Sequence, residues 1–334
     1  TNFAEMRLLQ RTPTINDFEL LEVVGQGGFG KVWKSVNILD NKVYAIKIQS
    51  IKDVQFDATK MAQIRAERHV LEIAHPFIVR LHWAIEVNDS VFLIMEFMSG
   101  GSLFSLQSSR PMKKFTEQET EFYIMETSLG LMHLHAHNIC FRDLKPENLL
   151  IDDRGHVLLS DFGLSKVHNS SDLLHQSVVG TPEYMAPELV QSQMRGYSYE
   201  VDLWALGCLV YECLHGYSPF YAYAIRDTFI AILNGTPHRM SSELSREAAD
   251  LMTDLLQLLP ASRITLTELK SHRFFRSYTW DDIMQKRYDG PITISVAQSE
   301  KSLVRSMLPE NHEVANERRT RTDSLDLCRK KQIP

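Results

Sequence analysis

The chain has 334 residues, 44% of them hydrophobic and 23% charged, with a net charge of −6. That length holds two domains or one bilobal unit, and the composition is ordinary for a globular protein. The negative balance leaves no electrostatic footprint for nucleic acid as the main partner, and no apolar run reaches the ~18 residues of a membrane span. The four cysteines, Cys140, Cys208, Cys213 and Cys328, form no Cys-x-x-Cys pair. They read as reduced thiols of an intracellular protein, and the expected localisation is cytoplasmic, extending to the nucleus. The opening TNFAEMRLLQ is no signal peptide, and the absence of an initiator Met leaves a native N-terminal extension open.

Residues 1–17 are polar and are expected to form a loosely held arm. From Phe18, FELLEVVGQGGFGKVWKSV reads as a strand, a glycine turn and a second strand. Gly25, Gly27 and Gly30 make Gly-x-Gly-x-x-Gly, with Val32 two residues on. Glycines there let the backbone close over phosphates with no Cβ in the way. The motif alone also fits a plain hairpin or a dinucleotide-binding turn. The dinucleotide turn needs a helix directly after the last glycine, whereas KVWKSV alternates as a strand does. The strand VYAIKI (Val43 to Ile48) carries a single charge, Lys47. A lone Lys in such a run commonly snorkels to an edge. The helix expected over Ala58 to Ala74 places Ile64, Glu67 and Leu71 on one face, and a buried Glu67 needs a partner that Lys47 can supply. Glu72 lies off that stripe and is expected in solvent. His75-Pro76 ends the helix, and two strands, IVRLHWAIE and VFLIMEF, follow. An amphipathic helix is expected from Phe115 to His135, starting at Thr116 with Glu119 completing a capping box.

The densest chemistry lies in CFRDLKPENLL, Cys140 to Leu150, and in the Asp161-Phe162-Gly163 phrase that follows the strand-like run Val157 to Ser160. Asp143, Lys145 and Asn148 fall in one short loop. The set brings a carboxylate, an ammonium and an amide into one loop, with a second carboxylate close behind, a combination of an acid–base group with hard oxygen donors for a divalent cation. Val201 to Leu214 is apolar nearly all round and reads as a buried helix.

Arg142-Asp143-Leu144-Lys145-Pro146-Glu147-Asn148, Asp161-Phe162-Gly163 and Ala186-Pro187-Glu188, in this order, resemble the signature set of the eukaryotic protein kinases. Phe141, where the family more often has His, is similar to the AGC group of Ser/Thr kinases. The resemblance spans roughly residues 18 to 291. It implies an α+β, bilobal protein-kinase fold: a kinase domain over 18–275, with a β-rich N-lobe to about residue 97 and a mainly helical C-lobe beyond. Residues 276–334 would form an AGC-like C-terminal extension whose distal part is disordered. The implied activity is transfer of the γ-phosphoryl group of ATP, with Mg2+, to Ser or Thr of protein substrates. Lys47 would pin the α- and β-phosphates, Asp143 would orient the acceptor hydroxyl and take its proton, Lys145 would offset charge on the moving phosphoryl group, and Asn148 and Asp161 would hold Mg2+. Val32, Ala45 and Leu150 would line the nucleotide site, with Met95 as gatekeeper and Glu96 to Met98 as the hinge beside adenine. Leu71, Leu81, Phe141 and Phe162 match the regulatory spine. Asp202 would anchor the catalytic-loop backbone, and Arg263 would pair with Glu188.

The segment from Asp161 to Glu188 is serine-rich in its middle, and its GTPEYMAPE phrase is similar to the Ser/Thr-specific form, placing Thr181 near Asp143 and Lys145. Ser177 matches the AGC activation phosphosite, with Ser170 and Ser171 as competitors. Its phosphate would pair with Arg142 and Lys166, and an upstream activating kinase is implied. Glu147 and Glu212 match positions that bind substrate arginine. Ser102 stands where the AGC group usually has a glutamate that contacts ribose. After Phe275 no Phe occurs, so the group's C-terminal hydrophobic motif is missing from the chain. The tail's Arg319/Thr322 and Arg321/Ser324 spacings allow a pseudosubstrate or autophosphorylated segment, against a plain solvated tail. A scaffold without catalysis would be expected to lack Lys47, Asp143 or Asp161, and a small-molecule kinase would lack GTPEYMAPE. All are present.

Overall fold

The computed structural model describes residues 12–27, 30–51, 58–167, 180–191 and 198–292. The chain divides into Thr1–Ser295 and Val296–Pro334, and all described residues belong to the first unit. Ser170, Ser171, Ser177, Cys328 and the tail motifs lie outside them.

The N-lobe is an antiparallel sheet of β1 (Phe18–Gly27), β2 (Gly30–Asn37), β3 (Val43–Ser50), β4 (Leu81–Val87) and β5 (Ser90–Glu96), in the order β1-β2-β3-β5-β4, with helix α1 (Ala58–Leu71) between β3 and β4 in the chain. The period of two along β3 puts Tyr44 and Ile46 on one face and Ala45, Lys47 and Gln49 on the other. The first face packs with Phe18, Ile94 and Trp83 into a small apolar cluster. The second turns its polar residues to α1. Gly30 closes the glycine hairpin at φ 129°, and a Cβ there would stand 2.1 Å from the Ile48 carbonyl oxygen. No side chain fits that approach.

The C-lobe is built on α2 (Leu103–Ser108), α3 (Glu117–Ala136), α4 (Pro187–Val190), α5 (Glu200–His215), α6 (Ile225–Asn234), α7 (Arg246–Leu255), α8 (Leu266–Leu269) and α9 (Trp280–Met284). Two small ribbons, β6 (Ile139–Cys140) with β9 (Lys166–Val167) and β7 (Leu149–Ile151) with β8 (Val157–Leu159), carry the loops between α3 and the activation segment. Thr116 caps α3 as expected, accepting from the Glu119 N–H at 3.2 Å while Glu119 Oε2 accepts from the Thr116 N–H at 2.7 Å.

The expected amphipathic character of α3 does not hold. Thr120 to Leu131 are buried without a break. Two of its buried carboxylates are satisfied inside: Glu126 takes the His156 ring at 2.5 Å and the Val157 N–H at 2.8 Å. Glu121 Oε1 accepts from the Ser277 N–H at 2.6 Å. The helix is the axle of the lobe, with α5, β6, β8 and the C-terminal segment around it. α5 is the second buried helix and ends on Gly216 in the left-handed conformation. Arg263 meets Glu188 in a bidentate pair at 2.6 and 2.7 Å, buried on both sides. Among the described residues no helix is long and apolar enough to cross a membrane.

Candidate active site

The catalytic loop leaves β6 at Cys140, and the Asp202 carboxylate on α5 receives it. Asp202 accepts from the Phe141 N–H at 2.9 Å and the Arg142 N–H at 2.8 Å, and meets His135 Nε2 at 2.8 Å. Burial works against its charge, but His135 and the two backbone donors outweigh it and hold the carboxyl below the usual range. The bond to Arg142 steadies a residue with φ 68°, and Asp161 is also left-handed at φ 55°. Non-glycine residues held there store strain, a feature that collects at functional sites.

Beyond that anchor, four side chains converge. Lys145 Nζ donates to Asp143 Oδ2 at 2.9 Å and to Thr181 Oγ1 at 2.8 Å. The Thr181 hydroxyl donates to Asp143 Oδ1 at 3.1 Å. Asn148 Nδ2 donates to the Asp143 carbonyl and to Asp143 Oδ2, both at 2.8 Å. With the amide nitrogen engaged by Asp143, the Asn148 oxygen is the end left for a cation. The Ser160 N–H donates to the Asn148 carbonyl at 2.9 Å, which brings Asp161 beside Asn148. An amide and a carboxylate oxygen on adjacent backbones fit magnesium, a cation that takes one or two protein ligands along with phosphate oxygens.

Lys47 reaches the same point from β3. Its Nζ donates to Glu67 Oε1 at 2.5 Å and to Asp161 Oδ1 at 2.9 Å. Burial opposes the ammonium charge, yet Glu67 and Asp161 together keep its pKa above the ordinary lysine value. Desolvation in the cleft opposes the Asp161 charge, but Lys47 and the Gly163 N–H outweigh it and hold the carboxyl below its ordinary value. Gln49 Nε2 donates to Glu67 Oε2 at 2.7 Å and fixes its second oxygen. Gln49 escaped the sequence reasoning, although its spacing of two from Lys47 puts both on one strand face. Glu72 is exposed and pairs with Arg68 at 2.9 Å.

The cleft floor is apolar: Val79, Met98 and Leu158 cluster with Met95 and Leu150. Ala45 lies opposite Met95 and Val32 opposite Lys47 in the sheet register, under a hairpin in which Gly25 pairs Val32 and Gly27 pairs Gly30. Glu96 Oε1 accepts from the Arg80 N–H at 3.0 Å, so that side chain serves the strand junction. Phe141 and Phe162 meet edge-on at 5.4 Å in the same core as Leu71, with Leu81 packed against it. Ser102 caps α2, accepting from the Ser105 N–H at 3.1 Å. Lys166 pairs with Cys140 across the β6–β9 ribbon, while the Arg142 Nε donates to the Leu164 carbonyl at 2.6 Å.

Glu212 Oε2 accepts from the Tyr184 hydroxyl at 2.7 Å. Burial, with Glu147 and Glu183 close by, pushes its carboxyl up to about 7 despite that hydrogen bond. Glu147 itself is exposed. Tyr184 and His135 were not singled out in sequence. Tyr184 sits in the GTPEY phrase, whereas nothing about His135 marks it as a partner for Asp202.

Charged groups from the sheet lobe and the helical lobe thus meet at one cleft. Residues 18–275 match the family model described as protein kinase domain, and the chain belongs to the protein-kinase family. It is 37% identical over 288 residues to serine/threonine-protein kinase Sgk1 of Danio rerio, covering 84% of this chain and 65% of that protein. Against serine/threonine-protein kinase Sgk3 of Rattus norvegicus it is 37% identical over 289 residues, covering 84% and 57%. Against ribosomal protein S6 kinase alpha-1 of Homo sapiens it is 39% identical over 290 residues, covering 84% and 38%. The chain thus spans less than two thirds of each of these three relatives. All three are AGC-group Ser/Thr kinases, the group whose motifs the chain carries.

Proposed function

We propose that the chain transfers the γ-phosphoryl group of ATP to Ser and Thr hydroxyls of protein substrates. The observation that carries this is the Asp143 carboxylate held between Lys145, Thr181 and Asn148. Asp143 is fixed by three donors, so a substrate hydroxyl that displaces the Thr181 hydroxyl meets an acceptor already oriented for its proton. Lys145 bridges Asp143 and Thr181 and places a positive charge where the phosphoryl group passes. Lys47, held by Glu67, presents its ammonium to the phosphates. Asn148 and Asp161 would hold Mg2+, which supplies charge neutralisation on the β- and γ-phosphates. Positioning and charge do most of the work, because phosphoryl transfer asks little covalent chemistry of the protein.

Glu147, Glu183 and Glu212 together favour substrates with arginine near the acceptor. Phosphorylation of Ser177 by an upstream kinase would recruit Arg142 and Lys166 and order the segment, with the whole working in the cytoplasm and nucleus. The test is labelled phosphate transfer from ATP-Mg to a degenerate Ser/Thr peptide library, with Lys47→Ala alongside. Transfer by the wild type alone, enriched for arginine, is expected. Absence of transfer even from protein phosphorylated at Ser177 contradicts the proposal.

A further inference from the structure

A cavity of about 560 Å3 opens on the helical lobe at the end of α5, lined by Lys114, His215, Gly216, Tyr217, Arg239 and Ser241, with Met112 at its edge. No carboxylate lines it, and neither Lys114 nor Arg239 has a carboxylate partner among the described residues. The negative groups that could oppose an anion are engaged. The Glu212 carbonyl accepts from the Gly216 N–H at 2.7 Å and from Gln107 Nε2 at 2.8 Å. The Cys213 carbonyl accepts from the Phe115 N–H at 2.8 Å, and Lys113's accepts from Gln107 Nε2 at 3.0 Å. His215 is also committed: its ring meets the Tyr211 carbonyl at 2.9 Å through Nδ1 and accepts from the Ser241 N–H at 3.1 Å through Nε2. Burial lowers the His215 pKa, the Tyr211 carbonyl opposes this, and the nearby Lys114 charge adds to the lowering.

The wall is built under strain. Met112 and Lys113 are successive non-glycine residues in the left-handed region, at φ 56° and 54°. Each such residue is disfavoured and persists only where the surroundings impose it. Here their carbonyls press on Gly216, where a Cβ would come within 2.6 Å of Met112 O and 3.0 Å of Lys113 O. His215 follows Glu212 by three residues on α5, so the pocket lies about 5 Å further along the helix than the carboxylate beside Tyr184. The acidic group of Glu147, Glu183 and Glu212 and the basic pocket thus flank the same end of α5.

We propose that this pocket docks a phosphorylated side chain of the protein substrate, distant from the acceptor hydroxyl, with Lys114, Arg239 and the Ser241 hydroxyl as its donors. The inference rests on the kinase reading for the identity of the partner, not for the chemistry of the pocket. A phosphomonoester brings nearly two charges and three acceptor oxygens, which suits a concave site with two unpaired cations better than a single carboxylate does.

The test is a binding titration with the full chain and fluorescent peptides of common sequence, arginine near the acceptor and a distal phosphoserine at a series of spacings. At one spacing the phosphorylated peptide should bind about tenfold tighter than its unphosphorylated twin, equivalent to about 1.4 kcal/mol. The Lys114→Ala/Arg239→Ala double variant should bind the two alike while keeping the wild-type melting temperature. Equal affinity for both peptides at every spacing would overturn the proposal, as would a preference that survives the double substitution. Inorganic phosphate displacing the peptide at equal concentration would also overturn it, by reducing the site to an adventitious anion trap. The titration needs no phosphoryl transfer, so a chain that bound the phosphopeptide without transferring phosphate would sink the kinase reading alone.

Discussion

At the scale of single residues the site is a set of charges kept in place by neighbours. Lys47 illustrates this: its ammonium would be costly in the interior alone, and Glu67 and Asp161 make it stable there. Glu212 shows the opposite balance, with burial and two nearby carboxylates raising it to about 7. The raised value means that the side chain is neutral below that pH and charged above it. Its attraction for a substrate arginine therefore appears as pH rises through about 7. The KM for an arginine-containing peptide should fall between pH 6 and 8 relative to an arginine-free peptide, and Glu212→Gln should remove that difference. A parallel pH response for both peptides would take Glu212 out of substrate recognition. Lys47 and Glu67 were legible in sequence as charges on apolar faces, and Asp143, Asn148 and Asp161 through the family resemblance that their motifs carry. Gln49, His135 and Tyr184 were not, because their roles depend on partners far along the chain: His135 and Asp202, for example, are joined only when α3 packs beside α5.

Among the elements, α5 and the loop that precedes β7 form one mechanical unit. Asp202→Ala would leave the Phe141 and Arg142 N–H groups buried without acceptors, and each such loss costs about 1–3 kcal/mol. Chemical denaturation should show a destabilisation of about 3 kcal/mol, and transfer should fall further than stability alone explains, because Arg142 is released from its left-handed conformation. An Asp202→Ala protein with wild-type activity would show that the anchor is dispensable. The strand and helix pattern of the N-lobe could be read from periodicity, since β2 and β3 alternate plainly. α3 could not. Its polar residues repeat as a wet face would, and only the fold reveals that Glu121 and Glu126 point into the lobe to satisfy Ser277, His156 and Val157. Ser102 likewise reads as a lost ligand in sequence and proves to be the N-cap of α2.

For the whole molecule, the Glu188–Arg263 pair ties the end of the activation segment to the region just before α8. Arg263 also donates to the Glu200 carbonyl at 2.8 Å and stacks over Trp204 at 5.2 Å. Removing one partner of a fully buried pair strands the other charge, at a cost of about 3–5 kcal/mol. Arg263→Ala should thus lower the unfolding midpoint sharply, while the KM for ATP of the fraction that remains folded stays near wild type. A large KM change with an unchanged midpoint would mean that the pair serves the cleft directly. The two lobes meet where Lys47 on the sheet grips Asp161 on the helical side, at 2.9 Å. That contact assembles the phosphate site from both halves.

The central claim is that Asp143 takes the proton of the acceptor hydroxyl and does not hold the nucleotide. The direct measurement is Asp143→Asn, assayed in parallel for ATP-Mg affinity and for single-turnover phosphate transfer to a Ser/Thr peptide. The account predicts near wild-type ATP affinity with transfer reduced at least 100-fold, the loss typical of a missing acid–base group. Equal losses of binding and transfer, or transfer close to wild type, would contradict it.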